Sequence, residues 1–365
     1  MSGPFILAAG GTGGHLFPAQ AVAGELMRRG RSVVVMTDGR GHNYRSAFPG
    51  AEIATVPAAT FSGRSVIGHL TAVATIFAGV AAALMKFLRL RPSAVIGFGG
   101  YPSLPVMLAA TIANIPAALH EQNAVLGRVN RLLAPRVSRI AATFPFVRFA
   151  PAKPGRIVFT GNPVRPAAAA LRDNPYMPPE PGAPVRLLVF GGSQGARALS
   201  ELVPAALALL PPELRARLEV TQQARAEDLA MLREAYRASG LKYETAAFFD
   251  DLPQRMAAAQ LIIARSGAST LSELTVIGRP AILIPYPFAM DDHQAANAAV
   301  LERAGAAWVI PQSELDADKL ARSLIGILSD PAGLSARAAA AKALGHPDAA
   351  RHLADLAEQL AGQSK

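Results

Sequence analysis

The sequence predicts an α/β protein with two doubly wound parallel-sheet domains that face a cleft. Three observations predict this fold class. Short apolar runs alternate with longer helical stretches along the chain, which is typical of parallel sheets built from βαβ units. Each half opens with an apolar strand, a glycine-rich turn and a helix, the turns being residues 10–15 (GGTGGH) and 191–196 (GGSQGA). Between the halves, the prolines of residues 174–184 remove backbone donors, so this segment separates two domains.

The apolar runs place the strands of two Rossmann-like sheets. In the first half we expect strands at residues 5–9, 32–37, 52–57, 94–97, 117–121, 139–142 and 157–160. In the second half we expect strands at residues 186–190, 218–221, 243–248, 261–264, 281–285 and 308–310. We divide the chain into an N-terminal domain (1–163), a C-terminal domain (164–340) and a C-terminal helix (341–365) that packs back on the N-terminal domain. Ligands bind beyond the carboxyl ends of strands in such sheets, so both glycine turns are expected at the cleft.

Composition limits the classes of partner. The chain has no cysteine, which excludes disulfides, thiolate metal sites and a cysteine nucleophile. Its net charge of +10 requires an anionic partner. Nucleic acid is not expected, because only 6% of the residues are aromatic and no motif that reads DNA or RNA is present. Phosphate-bearing substrates and acidic lipid head groups are the expected partners. The first four residues lack the basic start of a secretory signal.

An apolar stretch at residues 66–85 contains no Asp, Glu, Lys or Arg and is long enough to span a membrane. It lies between two strands of one predicted sheet, however, and a span would put parts of that sheet on opposite sides of the bilayer. We expect a crossover helix whose second apolar face docks on an anionic monolayer, and a fully buried crossover helix is the alternative. The expected patch consists of Leu70, Val73, Ile76, Phe77 and Val80. The expected basic rim consists of Arg64, Lys86, Arg89 and Arg91.

Candidate catalytic groups follow the strands of the first half. The turn at residues 10–15 presents helix amides to an anionic group, but it does not match the dinucleotide pattern G-x-G-x-x-G. His15 ends this turn and can accept a proton near neutral pH, the alternative being a structural histidine. The turn at residues 97–102 and the sequence HEQN at residues 120–123 should open onto the same edge of the sheet. A polar quartet that begins inside a strand is costly unless it faces a ligand, so we expect a ligand role for it.

In the second half, residues 265–273 (RSGASTLSE) follow a strand and should start a helix near Ser269. The free amides of its first turn can hold a diphosphate, and Glu273 lies one turn further, where its carboxylate can accept the ribose hydroxyls. The alternative is a capped helix in which Glu273 pairs with Arg265. Asp291, Asp292 and His293 lack a third ligand at metal spacing, so recognition of sugar hydroxyls by Gln294 is preferred to a metal site.

Seven motifs occur in one order along the chain: residues 10–18 (GGTGGHLFP), 97–101 (GFGGY), 120–123 (HEQN), 161–165 (GNPVR), 191–196 (GGSQGA), 265–273 (RSGASTLSE) and 292–297 (DHQAAN). Together they closely resemble the MurG family of peptidoglycan glycosyltransferases over essentially the whole chain. The resemblance implies a GT-B fold and transfer of N-acetylglucosamine from UDP-N-acetylglucosamine to the 4-hydroxyl of the muramyl sugar of lipid I, with inversion, to form lipid II. It also implies attachment to the cytoplasmic face of the bacterial inner membrane, with cell-wall and division proteins as possible partners.

The resemblance assigns roles by position. Apart from the resemblance, His15 is the expected catalytic base, because it is the titratable side chain that is best placed between the two predicted domains; Glu121 and His120 are its reserves. The expected donor-binding residues are Thr12, Gly13, Gly14, Asn123, Arg165, Ser193, Gln194, Phe249, Ala268, Ser269, Thr270, Leu271, Ser272, Glu273 and Gln294. The expected acceptor-binding residues are Gly14, His15, Gly99, Gly100 and Tyr101. No cofactor or metal is expected, because helix amides can hold the diphosphate.

Two other classes of enzyme stay open. A UDP-N-acetylglucosamine 2-epimerase has the same fold and donor but needs acid–base groups at C2 of the sugar. A nicotinamide-dependent dehydrogenase would use the turn at residues 10–15 together with Asp38, which ends the second predicted strand where a ribose-binding acid lies.

Overall fold

The computed structural model describes residues 3–11, 13–39, 46–60, 66–151, 155–192 and 196–362. The chain forms two compact units. The first unit comprises Met1–Arg165 and His346–Lys365, and the second comprises Pro166–Gly345. The chain therefore leaves the first unit after Arg165 and returns to it for its last helix.

The first unit is built on a parallel sheet of seven strands in the order β3-β2-β1-β4-β5-β6-β7. The strands are β1 (Phe5–Ala8), β2 (Val33–Thr37), β3 (Glu52–Thr55), β4 (Ala94–Gly97), β5 (Ala117–Glu121), β6 (Arg139–Ala142) and β7 (Ile157–Phe159). The inner strands are buried on both faces, as their continuous apolar sequences require.

Helices cover both faces of this sheet. They are α1 (Gly13–Arg28), α2 (Val66–Leu90), α3 (Ser103–Ile112), α4 (Arg128–Leu133) and, from the end of the chain, α14 (Ala349–Gly362). Apolar residues of α2, α3 and α4 form the core on one face. Those of α1 and α14 form the core on the other, where the C-terminal helix contributes Leu353 and Leu360.

The second unit repeats this plan with a parallel sheet of six strands in the order β10-β9-β8-β11-β12-β13. The strands are β8 (Val185–Phe190), β9 (Leu218–Gln223), β10 (Lys242–Ala246), β11 (Leu261–Ala264), β12 (Ala281–Leu283) and β13 (Ala307–Val309). The helices are α5 (Pro166–Ala169), α6 (Arg197–Ala208), α7 (Pro212–Arg215), α8 (Leu229–Ala238), α9 (Leu252–Ala258), α10 (Ala268–Ile277), α11 (His293–Arg303), α12 (Ala317–Leu328) and α13 (Pro331–Ala343). The prediction of two doubly wound parallel α/β domains is confirmed.

The last part of the chain differs from the expected single helix at residues 341–365. Residues 341–343 end α13 in the second unit, and α14 begins only at Ala349. Gly345 and Pro347 lie between the two helices, and both residue types disfavour a continuous helix.

Helix α2 is the one helix of the described residues that is long and apolar enough to cross a membrane by length and composition. It connects β3 to β4, which belong to the same sheet, so it serves as a crossover helix of that sheet. Its buried side faces the sheet and its opposite side is apolar and exposed. The exposed side includes Leu70 and Phe77, which are 64% and 70% exposed.

The expected apolar patch on α2 is correct for three residues and wrong for two. Leu70, Val73 and Phe77 are exposed. Ile76 and Val80 are buried in the core, because they share a helix face with the residues that pack on the sheet. The exposed face instead continues through further large apolar side chains at Ile67, Met85 and Leu88. Of the predicted basic rim, Arg89 and Arg91 are exposed and Lys86 is half-buried, whereas Arg64 lies outside the described residues.

Candidate active site

Parallel strands bring the functional turns of the first unit to one edge of its sheet. Strands β1, β4 and β5 are neighbours, and their carboxyl ends lead into the turn before α1, the turn at residues 98–102 and the segment after Glu121. His15 in the first turn of α1 and the quartet at residues 120–123 therefore meet, as the sequence predicts. Thr12 lies outside the described residues, whereas Gly13 and Gly14 begin α1.

The glycine turn after β4 packs directly against the imidazole of His15. Gly99 and Gly100 have φ angles of +83° and +71°, which glycine adopts readily. A Cβ atom on Gly99 would lie 3.4 Å from His15 Cε1, and one on Gly100 would lie 3.2 Å from His15 Cδ2. The positive φ angles favour glycine at both positions, and at Gly100 a Cβ atom would also crowd the ring.

Gln122 connects the two histidines of the site. Its Oε1 lies 3.3 Å from His15 Nδ1, and its Nε2 lies 3.0 Å from His120 Nδ1. The same Nε2 donates to the carbonyl of Phe98 at 2.8 Å. Gln122 is only 2% exposed, so its hydrogen bonds are formed away from bulk water.

His120 is enclosed and held in place. The residue is fully buried, its Nε2 lies 3.3 Å from the carbonyl oxygen of Gly161, and its ring packs at a tilt on Phe98. Burial lowers the pKa of His120 to about 4, because desolvation disfavours the charged imidazolium. His120 is therefore a neutral part of the protein interior, which argues against its role as a reserve base.

Glu121 uses both carboxylate oxygens to fix the loop that follows it. Oε1 accepts from the backbone and side-chain nitrogens of Asn123, at 3.0 and 3.3 Å. Oε2 accepts from Gly127 N and from Asn130 Nδ2, both at 2.8 Å. All four acceptor positions of this buried carboxylate are engaged by groups of the loop, so Glu121 organises that loop.

Other predicted residues of the first unit lie at the same edge. Tyr101 donates its hydroxyl to Asp38 Oδ2 at 2.7 Å. Asp38, which a dehydrogenase would use to bind ribose, therefore lies against the end of the glycine turn after β4. Arg165 is half-buried, and its guanidinium lies 5.1 Å from the centre of the Phe17 ring of α1.

In the second unit, β11 leads into α10, whose first residue is Ala268, as the sequence predicts. The Ser269 hydroxyl is buried and has no hydrogen-bond partner within the described part of the chain. Ser272 donates its hydroxyl back to the carbonyl of Ala268 at 2.8 Å. An unsatisfied buried hydroxyl beside the amides of a helix N-terminus favours a polar ligand there.

Leu271 differs from its neighbours in this motif. Its side chain is buried, and its amide donates to the carbonyl of Gly267 at 3.0 Å. Both groups are thus engaged within the second unit, and the contact between Leu271 and the donor stays a prediction. Thr270 lies half-buried in the first turn of the helix.

Glu273 is 5% exposed and lies on α10 beyond this turn. The guanidinium of Arg265 is directed at the end of β12, where it donates to the carbonyls of Ile284 and Pro285, and to Gln312 Oε1. Arg265 therefore braces the loop after β12, and the predicted alternative pair between Arg265 and Glu273 is not formed.

The segment after β12 carries backbone strain. Asp291 and Asp292 have φ angles of +53° and +54°, a conformation that non-glycine residues adopt mainly where the surroundings impose it. Gln294 follows, and its Oε1 accepts from Tyr286 N at 3.0 Å. No group of three or more His, Asp and Glu residues that could hold a metal ion occurs among the described residues.

Three further residues were predicted to bind the donor: Phe249, Ser193 and Gln194. Phe249 is 6% exposed and the Arg255 guanidinium lies 4.1 Å from the centre of its ring, so the side chain is enclosed; the contact through its backbone stays a prediction. Ser193 and Gln194 lie outside the described residues.

Sequence reasoning missed Gln122 and Asn130 as individual residues. Asn130 lies inside α4, is 2% exposed, and donates to Glu121 Oε2 and to the carbonyl of His120. A buried polar residue within a short helix needs a hydrogen-bond partner, so the position of Asn130 in the sequence of α4 was the signal that could have found it. Gln122 was noted only as one of the four polar residues, because sequence does not reveal which hydrogen bonds an amide forms.

Comparison with known proteins places these turns in a family. The N-terminal domain of glycosyltransferase family 28 matches residues 5–142, and the C-terminal domain matches residues 186–353. A UDP-N-acetylglucosamine--N-acetylmuramyl-(pentapeptide) pyrophosphoryl-undecaprenol N-acetylglucosamine transferase from Methylobacterium sp. (strain 4-46) is 54% identical, over 98% of this chain and 96% of the relative. The crystal structure of MurG from Acinetobacter baumannii is similar with a TM-score of 0.80 and 30% identity, over 98% of this chain and 99% of that chain. A UDP-GlcNAc 2-epimerase from Neisseria meningitidis shares the fold, with a TM-score of 0.67 and 13% identity, over 97% of this chain and 100% of that chain.

The lowered pKa of His120 predicts a pH-dependent stability. The folded protein binds the His120 proton only near pH 4, whereas the unfolded chain binds it near 6.5. The unfolded state therefore takes up more protons as the pH falls from 6.5 towards 4, and the free energy of unfolding decreases by up to about 1.4 kcal/mol per pH unit in that window. Above pH 6.5, His120 is neutral in both the folded and the unfolded protein, so it no longer makes the free energy of unfolding depend on pH. Urea unfolding at several pH values, with His120→Asn as the reference that cannot titrate, measures the difference; equal pH slopes for both proteins would contradict it.

Proposed function

Because the chain belongs to the MurG transferases of glycosyltransferase family 28, we propose that it transfers N-acetylglucosamine from UDP-N-acetylglucosamine to the 4-hydroxyl of the muramyl sugar of lipid I. The product is lipid II, a precursor of peptidoglycan. The observation that carries this proposal is the 54% identity to a transferase of that name, over 98% of this chain and therefore across both units. The chain is thus a hexosyltransferase.

We assign the donor to the second unit. The N-terminus of α10 offers the amides of Ala268, Ser269 and Thr270, and the buried Ser269 hydroxyl provides an additional donor. These groups suit the diphosphate of a nucleotide, since unpaired amides and the helix dipole favour negative charge. Glu273 takes the ribose hydroxyls, and Gln294 uses its amide to bind the sugar.

We assign the acceptor and the base to the first unit. His15 removes the proton from the 4-hydroxyl, the oxygen forms a bond to C1 of N-acetylglucosamine, and the bond from C1 to the diphosphate oxygen breaks. UDP leaves with the electron pair and the proton remains on His15. Attack opposite to the leaving group inverts the anomeric carbon. His15 is preferred to its reserves, because Glu121 is saturated by donors and His120 is enclosed.

Charge supports the placement of an anionic, lipid-linked acceptor on the first unit. That unit contains 19 Lys and Arg against seven Asp and Glu, which gives +12, whereas the second unit contains 17 against 19, which gives −2. The positive charge of the whole chain is thus carried by the first unit. It attracts the acceptor diphosphate and an anionic membrane surface alike.

The exposed face of α2 is our candidate for membrane attachment. Leu70, Val73 and Phe77 form an apolar strip on the unit that carries the excess positive charge. An amphipathic face with basic surroundings binds the interface of an anionic membrane without crossing it. We propose that the protein is peripheral to the cytoplasmic face of the inner membrane, where cell-wall and division proteins would be its protein partners.

Replacement of His15 tests the mechanism. We expect His15→Ala to lower kcat by about 10²- to 10⁴-fold, the usual contribution of a general base, and to leave the binding of UDP-N-acetylglucosamine nearly unchanged. The assay follows radiolabelled sugar from UDP-N-acetylglucosamine to lipid I, with other UDP-sugars as specificity controls. His352→Ala, an exposed histidine of α14, is the matched control. Near-normal turnover of His15→Ala would reject the assigned base.

Two further measurements separate the alternative functions from the transferase. Epimerised UDP-sugar formed in the absence of lipid I would identify a 2-epimerase. Binding of NADH that changes the fluorescence of Trp308 would identify a dehydrogenase. Transfer to lipid I in the absence of both signals supports the transferase.

We expect transfer to need no metal ion. The helix amides that hold the diphosphate supply the positive electrostatic environment that the departing UDP requires, so EDTA should leave the rate unchanged. The measurement compares initial rates with EDTA, with EDTA followed by excess Mg²⁺, and without additions. Loss of activity in EDTA that Mg²⁺ restores would contradict the expectation.

Flotation with lipid vesicles tests the membrane surface. Each exposed apolar side chain that enters the interface contributes about 1.5 kcal/mol or more, so Leu70→Ser combined with Phe77→Ser should weaken binding to phosphatidylglycerol vesicles by about a hundredfold or more. Activity on a soluble lipid I analogue should persist. Leu209→Ser combined with Met231→Ser removes similarly exposed residues from the second unit and serves as the control. Failure of the unmodified protein to float with anionic vesicles would exclude this surface.

A further inference from the structure

A chain of hydrogen bonds with a fixed direction leads through the first unit to His15. It begins at the carbonyl of Gly161, passes through the imidazole of His120 and the amide of Gln122, and ends at Nδ1 of His15. The donor and acceptor at each step can be assigned from the two backbone carbonyls in this network. Those assignments determine which nitrogen of His15 carries its proton.

The amide orientation of Gln122 is fixed by the carbonyl of Phe98. A carbonyl oxygen only accepts, so the Gln122 atom 2.8 Å from it must be the Nε2 donor. The other amide atom, Oε1, then faces His15 Nδ1 at 3.3 Å. A flipped amide would place two oxygens against each other inside the protein and would leave the buried Phe98 carbonyl without this donor, which is costly.

The tautomer of His120 is fixed in the same way. The carbonyl of Gly161 only accepts, so His120 Nε2 carries the hydrogen. Nδ1 of the neutral ring then has the lone pair, and it accepts the second hydrogen of Gln122 Nε2 at 3.0 Å. Both hydrogens of the Gln122 amide are thereby used, and its Oε1 remains as the acceptor for His15.

Since Oε1 of Gln122 can only accept, His15 Nδ1 must donate, and the lone pair of neutral His15 lies on Nε2. This nitrogen is on the side of the glycine turn: a Cβ atom on Gly100 would lie 3.4 Å from it. That turn is where we place the acceptor sugar. Neutral histidine side chains in water favour the opposite tautomer, with the hydrogen on Nε2, so the inferred arrangement is one that the protein imposes.

We propose that Gln122 is a positioning residue, which holds His15 in the Nδ1–H tautomer so that Nε2 faces the acceptor hydroxyl as the base. The inference rests on the proposed function, which makes His15 the base. A wrong tautomer in a histidine-based active site lowers turnover strongly, because the proton-accepting lone pair then points away from the reacting hydroxyl. A side-chain amide suits this role, because its oxygen accepts from His15 while its nitrogen donates to His120 and to the Phe98 carbonyl.

Two substitutions of Gln122 separate tautomer control from a structural role. Gln122→Met keeps a similar length and volume but removes the acceptor, so His15 should shift towards the Nε2–H tautomer and kcat should fall by about 10- to 100-fold, with the KM for UDP-N-acetylglucosamine unchanged. Gln122→Glu keeps an oxygen that only accepts beside His15 Nδ1, while its other oxygen needs a proton to donate to the Phe98 carbonyl. His15 should therefore keep the Nδ1–H tautomer, and kcat should stay above that of Gln122→Met. Gln359→Met, at an exposed position of α14, is the matched control.

The tautomer itself is read from ¹⁵N spectra of protein labelled at its seven histidines, in which His15→Ala identifies the His15 signals. Spectra at about pH 8 report the neutral rings. The expected result is a protonated Nδ1 in the unmodified protein and in Gln122→Glu, and a shift towards protonated Nε2 in Gln122→Met. Thermal unfolding of each variant checks that it is folded.

The outcomes distinguish this inference from the proposed function. A protonated Nε2 of His15 in the unmodified protein, or a Gln122→Met variant with unchanged tautomer and turnover, overturns the positioning role even if His15→Ala is inactive. Normal turnover of His15→Ala overturns both the assigned base and the role of Gln122 in catalysis. Transfer of sugar to lipid I stays a separate measurement, and it can succeed or fail independently of the spectra.

Discussion

The direction of the strands is the constraint on which both candidate sites depend. In a parallel sheet every carboxyl end lies at the same edge, so segments that are distant in sequence meet there without any further device. In the first unit this brings together His15, the glycine turn after β4 and the quartet after β5, because β1, β4 and β5 are adjacent. In the second unit the same rule places Gly191, which follows β8, next to the start of α10, which follows β11. The two sites therefore occupy equivalent positions in two copies of one architecture.

Buried polar atoms determine how the first of these edges is organised. The carbonyls of Phe98 and Gly161 need donors, and the carboxylate of Glu121 needs several. The chain supplies these donors from the quartet itself, from Gly127 and from Asn130, so the same hydrogen bonds satisfy the interior and orient the functional groups. Rigidity follows, since moving one member would leave another without a partner in a medium of low polarity.

The sequence was sufficient for what depends on local patterns. Apolar runs located the strands, glycine turns located the edge of each sheet, and the helix after β11 began where its motif indicated. It was insufficient where three-dimensional packing decides which side chains are buried and which are exposed. Ile76 and Val80 belong to the same apolar helix as Leu70 and Phe77, and only the packing of α2 on the sheet separates the buried from the exposed face. Similarly, Leu271 lies within the motif that is predicted to bind the donor, and its direction on the helix puts its side chain in the core. The part played by Gln122 depends on the carbonyl of Phe98, which is 24 residues away in sequence.

The proposed assignment gives the two units different physical means of binding anions, and this difference would account for an amide beside His15. The second unit has a slight negative charge and relies on backbone amides at the start of α10, whereas the first unit has a large excess of Lys and Arg. A carboxylate next to His15 would orient the ring as in a Ser-His-Asp triad, but it would add negative charge where an acceptor diphosphate must approach. Gln122 gives the same orientation without that charge. The acid that does occur there, Glu121, is surrounded by four donors that disperse its charge into the protein. The first unit can thus orient its base and remain attractive to an anionic acceptor.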